Sequence, residues 1–133
     1  MFEHLPALDV ALTVLLLLFT AIKVGAARGR HGIKAPAVEG HPEFERAFRA
    51  QMNTLEATVM FLPSLWLASE YGGTPWFAGL IGLLWVLART WYALAYLRNA
   101  TKRGAPFALG TLCMAILLGW GLIGVLQAML HAA

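Results

Sequence analysis

The sequence predicts an all-α protein, a bundle of four transmembrane helices. Of its 133 residues, 59% are hydrophobic and only 13% are charged, whereas about 25% is usual for a soluble domain. The apolar residues form long runs, separated by short loops that contain Gly, Pro and five of the ten Lys and Arg residues. Because a membrane-spanning helix needs ~20 largely apolar residues, four such segments fill the chain. We therefore expect one integral membrane domain over residues 1–133.

The first predicted helix covers about residues 8–27. Its centre carries no charge, and Lys23 near its end can extend its amine to the membrane interface. Acidic Glu3 and Asp9 stand where a signal peptide would be basic, so the segment is interpreted as a membrane helix. We expect the Gly and Pro residues of the following basic loop to end the helix.

The second predicted helix, about residues 42–70, begins in a polar stretch and ends in an apolar one. Pro42 suits the first turn, and Glu43 favours the positive end of the helix dipole. Pro63 is expected to kink the helix. At about 100° per residue, one quarter of the circumference collects polar side chains. These are Glu45, Arg46, Arg49, Asn53 and Glu56, whereas Gln51 points elsewhere. Polar groups at membrane depth indicate a functional site.

The third predicted helix, about residues 76–98, carries a second polar stripe. Helical spacing places Trp85, Arg89, Tyr92 and Tyr96 on one face. A deeply placed guanidinium cannot easily reach water, so Arg89 is expected to pair with Glu56 or Glu45.

The fourth predicted helix, about residues 107–130, contains no charged residue, and its glycines allow close packing between helices. Cys113 lies within this apolar run and is interpreted as an inert packing residue. His4 and His131 lie near opposite termini, and we expect no metal site in the chain.

The distribution of positive charge predicts the orientation in the membrane. Arg28, Arg30, Lys34, Lys102 and Arg103 lie in the first and third loops. The second loop and both termini contain no Lys or Arg. The positive-inside rule places both basic loops in the cytoplasm and both termini outside. The short loops favour a bacterial inner membrane, and the pattern indicates membrane topology and contact with lipid headgroups rather than binding of nucleic acid.

Two segments of the chain contain extended motifs. The first is Glu45-Arg46-x-x-Arg49-Ala50-Gln51-x-Asn53-x-x-Glu56. The second is Ala88-Arg89-Thr90-Trp91-Tyr92-Ala93-Leu94-Ala95-Tyr96-Leu97-Arg98, followed by Arg103-Gly104-Ala105-Pro106. Both resemble segments of the MAPEG family, the membrane-associated proteins in eicosanoid and glutathione metabolism. The chain departs from some members at Ala57, where they have a tyrosine.

The resemblance implies a homotrimer that binds glutathione between neighbouring subunits, near the cytoplasmic face. It implies that Arg103 lies beside the glutathione sulfur and stabilises its thiolate. The implied glutathione ligands are Arg28, Arg49, Gln51, Asn53, Glu56, Arg89, Tyr92 and Tyr96. The thiolate would then conjugate lipophilic electrophiles or reduce lipid hydroperoxides.

Other interpretations of the same residues remain open at the level of sequence. The groove could bind a lipid or a partner protein without catalysis, with Arg103 and Lys102 acting only as determinants of topology. Tyr92 and Tyr96 could be aromatic residues of the membrane interface. A small multidrug-type transporter would also have four helices, but it would place a lone carboxylate in mid-bilayer, whereas Glu56 accompanies arginines and amides.

Overall fold

The computed structural model describes residues 1–132, and these form an all-helical bundle. Four α-helices follow one another along the chain. They are α1 (Leu5–His31), α2 (Pro42–Tyr71), α3 (Pro75–Arg98) and α4 (Gly104–Ala132). Short 3₁₀ helices precede α1, at Phe2–His4, and α4, at Ala100–Arg103. The predicted all-α fold with four helices is therefore confirmed.

The first helix is longer than predicted, since it continues through Arg28, Gly29 and Arg30 to His31. Gly32, with a φ of 64°, ends the helix in the left-handed conformation that glycine adopts readily. The N–H of Ile33 donates to the carbonyl of Arg28 at 3.1 Å. A glycine of the basic loop therefore ends the helix, as expected, whereas Gly29 remains helical, because one glycine in a helix lowers its stability without ending it.

The second helix is continuous from Pro42 to Tyr71 and contains Pro63. His41 caps it, since its Nδ1 accepts a hydrogen bond from the N–H of Glu43 at 3.1 Å. The buried face of the helix consists of Phe44, Ala47, Ala50 and residues at helical spacing beyond them. The polar stripe of α2, from Glu45 to Glu56, lies beside this buried face.

Three helical stretches are long and apolar enough to cross a bilayer, namely Phe2–His31, Pro75–Arg98 and Ala100–Ala132. The second helix does not meet this criterion in its own right, because polar side chains extend far along it. That α2 crosses the membrane therefore stays a prediction. It requires that the other three helices shield the polar side chains of α2 from lipid.

The core joins α2, α3 and α4 around stacked aromatic rings. The rings of Phe61 and Trp85 lie parallel, with centroids 3.7 Å apart. Cys113 and Leu117 of α4 are buried against this pair. The burial of Cys113 agrees with its predicted role in packing. This core fixes the positions of α2 and α3, and thus of the polar stripes on these two helices.

Candidate functional site

A cavity of about 310 Å³ opens between α2, α3 and the start of α4. It is lined by Asn53, Glu56, Ala57, Met60, Arg89, Tyr92, Arg103, Gly104 and Phe107. Five of these are predicted site residues that come from three separate segments of the chain. The fold therefore brings together the two polar stripes and the third loop, as their spacing along the helices indicates.

Arg89 is buried, with 3% of its surface exposed. Its Nη2 donates a long hydrogen bond of 3.4 Å to Oγ1 of Thr54, and its Cζ lies 3.9 Å from the centre of the Tyr92 ring. Within residues 1–132 no carboxylate forms an ion pair with it. The prediction that Arg89 pairs with Glu56 or Glu45 is therefore wrong for a single subunit, because an aromatic face and a hydroxyl surround the guanidinium instead.

Tyr92 connects the two polar stripes. Its hydroxyl oxygen accepts a hydrogen bond from Nδ2 of Asn53 at 2.8 Å. Its ring packs against Tyr96, with centroids 5.7 Å apart, and against Phe107 of α4. Both tyrosines are buried, so they are not exposed interfacial aromatics in this subunit. Tyr96 itself stands behind Tyr92 and does not line the cavity.

Arg103 reaches the cavity from the third loop, at the end of the short 3₁₀ helix. One guanidinium nitrogen, Nη1, donates to the carbonyl of Ala100 at 2.8 Å. The Cζ of Arg103 lies 5.5 Å from the centre of the Tyr96 ring. These contacts hold the side chain over the Tyr96 ring, while the exposed guanidinium keeps further donors for a ligand.

Three predicted ligands lie away from this cavity. Arg28 donates to the carbonyl of Ala37 at 2.7 Å and stacks over Phe44, with its Cζ 4.6 Å from the ring centre. Arg49 is exposed and Gln51 is half-buried, and neither lines the cavity.

The predicted ligands divide between two opposite faces of α2. Gln51 is two residues away from Arg49 and two from Asn53. Because two residues correspond to a rotation of about 200°, Gln51 points to the opposite side of the helix from both. Phe44 and Gln51 are seven residues apart and therefore on the same side, where Arg28 also lies. One ligand could contact all of these groups only if two subunits met, each presenting a different face.

A smaller cavity of about 150 Å³ adjoins the first and is mostly apolar. Ala57, Met60, Arg89 and Phe107 line both cavities. Trp85 and Met114 line only the smaller one. The small side chain at Ala57 leaves this space open, and the result is a polar site that continues into an apolar pocket between helices.

Three further residues line the cavity that were not predicted from the sequence, namely Met60, Gly104 and Phe107. The spacing could have indicated Met60, because it follows Glu56 by four residues on the same helix face. Phe107 lies beyond a turn whose geometry the sequence does not specify, and no sequence signal identifies it.

Glu43 forms ion pairs outside the cavity, at the junction of α1 and α2. Its carboxylate contacts Arg30 and lies 2.8 Å from Nε2 of His31. The hydrogen bonds with His31, and then with Arg30, hold the pKa of Glu43 below its ordinary value of 4.5. Arg46 connects α2 to α3, since its Nε donates to the carbonyl of Leu97 at 3.3 Å.

Comparison with known proteins identifies relatives along most of the chain. The model of the MAPEG family matches residues 7–123. An uncharacterised protein of Synechocystis is 44% identical over 121 residues, which cover 91% of this chain and 88% of that protein. Bovine microsomal glutathione S-transferase 2 is 37% identical over 112 residues, covering 84% and 76% respectively. Leukotriene C4 synthase of Cavia porcellus is 37% identical over 124 residues, covering 92% and 81%.

Proposed function

The chain belongs to the MAPEG family, and on that premise we propose that it is a membrane-bound glutathione transferase. Two of the relatives are, by name, a glutathione S-transferase and a leukotriene C4 synthase. The observation that carries the proposal is the larger cavity, in which Arg103 and Arg89 meet Asn53, Glu56 and Tyr92. This set offers positive charge, negative charge and amide groups within one small volume.

Arg103 is the residue that we assign to activation of the thiol. A thiol with a pKa of about 8.5 is only a few per cent thiolate at neutral pH, and the thiolate is the nucleophile. A hundredfold gain in acidity requires ~2.7 kcal/mol of preferential stabilisation of the anion. One guanidinium at a partly dehydrated interface can supply this energy. The position of Arg103 at the cavity mouth supports the assignment.

The remaining polar groups match the charges of glutathione, which has two carboxylates, one ammonium and two peptide groups. Arginine binds carboxylates through paired N–H donors, a role that suits Arg89 and Arg49. Glu56 can accept hydrogen bonds from the ammonium, and Asn53 can bind a peptide group. Tyr92 would hold Asn53 in place through the hydrogen bond that already joins them, with Tyr96 packed behind it.

We further propose that the site forms between the subunits of a homotrimer. The cavity of about 310 Å³ is at the small end for ligand sites, which range over roughly 300–1,000 Å³. Arg28 and Gln51 lie on the face opposite the cavity, where a neighbouring subunit could use them. In a closed ring each subunit presents two different faces, and each site takes residues from both.

The adjoining apolar pocket supports a lipophilic second substrate that enters from the membrane. In conjugation, the thiolate sulfur would form a bond to an electrophilic carbon, and the leaving group would depart with the electron pair. In peroxide reduction, the thiolate would attack the terminal peroxide oxygen, and the O–O bond would break to release the alcohol. A second glutathione would then displace the oxygen from sulfur as water and form the disulfide. The relatives' names favour the transferase reaction.

For the membrane we propose the orientation that the charges predict, in a bacterial inner membrane. Both basic loops would then face the cytoplasm, where a water-soluble co-substrate such as glutathione could reach Arg103 directly.

Ultraviolet difference absorbance of the detergent-purified protein tests this proposal through the thiolate band. We expect saturable thiolate absorbance on adding glutathione to the wild type. The band should disappear in Arg103→Ala and persist in Lys102→Ala, which removes a neighbouring exposed cation. No binding at millimolar glutathione would overturn the proposed function. A band that survives in Arg103→Ala would overturn only the role of Arg103.

A further inference from the structure

Three metal-ligating side chains meet where the end of α1 approaches the start of α2. His31, His41 and Glu43 each offer one ligand atom, and these atoms all lie within 4.8 Å of one another. Nε2 of His31 is 2.8 Å from Oε2 of Glu43. The rings of His31 and His41 are stacked, with centroids 3.5 Å apart and 10° between their planes. We propose that this cluster is a binding site for a divalent transition-metal ion.

The local fold explains why the three side chains converge. His31 is the last residue of α1, and the turn at Gly32 reverses the chain. His41 is the N-cap of α2, and Glu43 lies in the first turn of that helix. Each ligand is therefore held at a helix end rather than in a free loop, which limits the entropy lost when an ion binds.

The donor set selects the class of metal. Two imidazole nitrogens and one carboxylate oxygen suit Zn²⁺, Ni²⁺ or Cu²⁺, whereas Mg²⁺ and Ca²⁺ prefer oxygen donors alone. Three protein ligands would leave one coordination position for water in a tetrahedral site. The three side chains of the cluster and one water molecule would therefore complete the coordination of the ion.

Binding requires a rearrangement within the cluster, because stacked rings cannot both direct a nitrogen lone pair at one ion, and one of the two imidazoles must rotate. Metal–ligand bonds of about 2.0–2.2 Å mean that two ligands of one ion lie at most about 4.4 Å apart, so the donors must close slightly. The ion would replace the contact between His31 and Glu43, and His41 would exchange its cap bond for the metal. Arg30 contacts the other carboxylate oxygen, Oε1, and leaves Oε2 of Glu43 free to ligate.

The cluster contains none of the residues assigned to the glutathione site, and none of its residues lines the larger cavity. The ion would join α1 to α2 across residues 32–40. That connection includes Ala37, whose carbonyl accepts the hydrogen bond from Arg28.

Calorimetric titration of the tag-free protein with Zn²⁺, in detergent and thiol-free buffer at neutral pH, tests the site. We expect saturable binding of one ion per chain. His31→Gln and His41→Asn should each weaken the affinity at least tenfold, and asparagine can still cap the helix. His4→Asn and His131→Asn are matched controls, because they remove an imidazole outside the cluster. Gel filtration checks that each variant remains folded.

Absence of saturable Zn²⁺ binding to the wild type would overturn the site. Equal weakening in the control variants would overturn it as well, since the ion would then bind elsewhere. Co²⁺ provides an independent readout, because ligation by the cluster should give visible absorption bands that are lost in His31→Gln.

Discussion

Asp9 is a fully buried carboxyl group near the start of α1. Neither of its side-chain oxygens has a hydrogen-bond partner among residues 1–132. The hydroxyl of Thr13 donates to the backbone carbonyl of Asp9, at 2.7 Å, and not to the carboxyl group. Gly82 of α3 faces this group so closely that an added Cβ would overlap Oδ2. A charge at this position is therefore uncompensated within the subunit, and burying it costs stability.

The variant Asp9→Asn should be more thermally stable than the wild type. The substitution keeps the shape and removes the charge, and an unpaired buried charge costs more than the ~1–3 kcal/mol of a neutral polar group. The midpoint of thermal unfolding in detergent measures the effect. Glu3→Gln is the control, because this substitution also removes one carboxylate, but from an exposed position. A lower midpoint for Asp9→Asn would mean that the carboxyl group has a partner in the assembled protein.

Helical spacing predicts which side chains are buried better than it predicts what they contact. Trp85, Arg89, Tyr92 and Tyr96 form the buried stripe that their spacing indicates. The same spacing does not show that Arg89 stacks on Tyr92. That contact depends on which rotamers the packed bundle allows. Asp9 was interpreted only as an acidic residue near the start of the first helix, where a signal peptide would be basic. Its burial could not be predicted, because it depends on a glycine in another helix.

At the scale of helices, α2 and α4 approach each other through glycine. A Cβ on Gly121 would lie 2.6 Å from Cβ of Leu67, and one on Gly124 would overlap the carbonyl oxygen of Tyr71. Close contact between backbones is typical of membrane helices, whose interfaces favour small residues. Nε1 of Trp120 also donates to the carbonyl of Gly72 at 2.9 Å, at the same end of the bundle.

The variant Gly124→Ala should destabilise the bundle, because the added methyl group must push α4 away from α2. Overpacking of this kind typically costs ~1–3 kcal/mol. Gly119→Ala is the matched control, since an added Cβ there meets no atom within 4 Å. Thermal unfolding of both variants in the same detergent makes the comparison. Equal midpoints for the two variants would contradict the close packing described for Gly124.

The number and approximate positions of the helices could be predicted from the sequence, whereas their terminal residues were predicted less accurately. Long apolar runs determine the positions of the helices, because only helices satisfy the backbone in a bilayer. The ends depend on local turn geometry. At Gly32 the backbone takes a φ of 64°, whereas Gly29 remains helical, and composition does not distinguish the two glycines.

At the scale of the whole molecule, the predicted ligands divide between two faces of one subunit. Arg103 belongs to the cavity, whereas Gln51 lies on the other side of α2. The resemblance to the family implied Gln51 as a glutathione ligand and Arg103 as the residue beside the sulfur. Helical spacing already predicted that Gln51 points away from the polar stripe of α2. Which residues share a cavity with Arg103 could not be predicted, because that requires the positions of three helices together. This division supports the proposed site between neighbouring subunits.

Conjugation of glutathione by mixed oligomers tests the shared site most directly. Arg103→Ala and Gln51→Leu chains with different affinity tags would be produced together, and oligomers that contain both would be purified through the two tags. Each variant alone should have a low kcat/KM. In a mixed oligomer, one kind of interface combines an intact Arg103 with an intact Gln51, so kcat/KM should rise clearly above that of both pure variants. A value no higher than the average of the two would contradict a glutathione site built from two subunits.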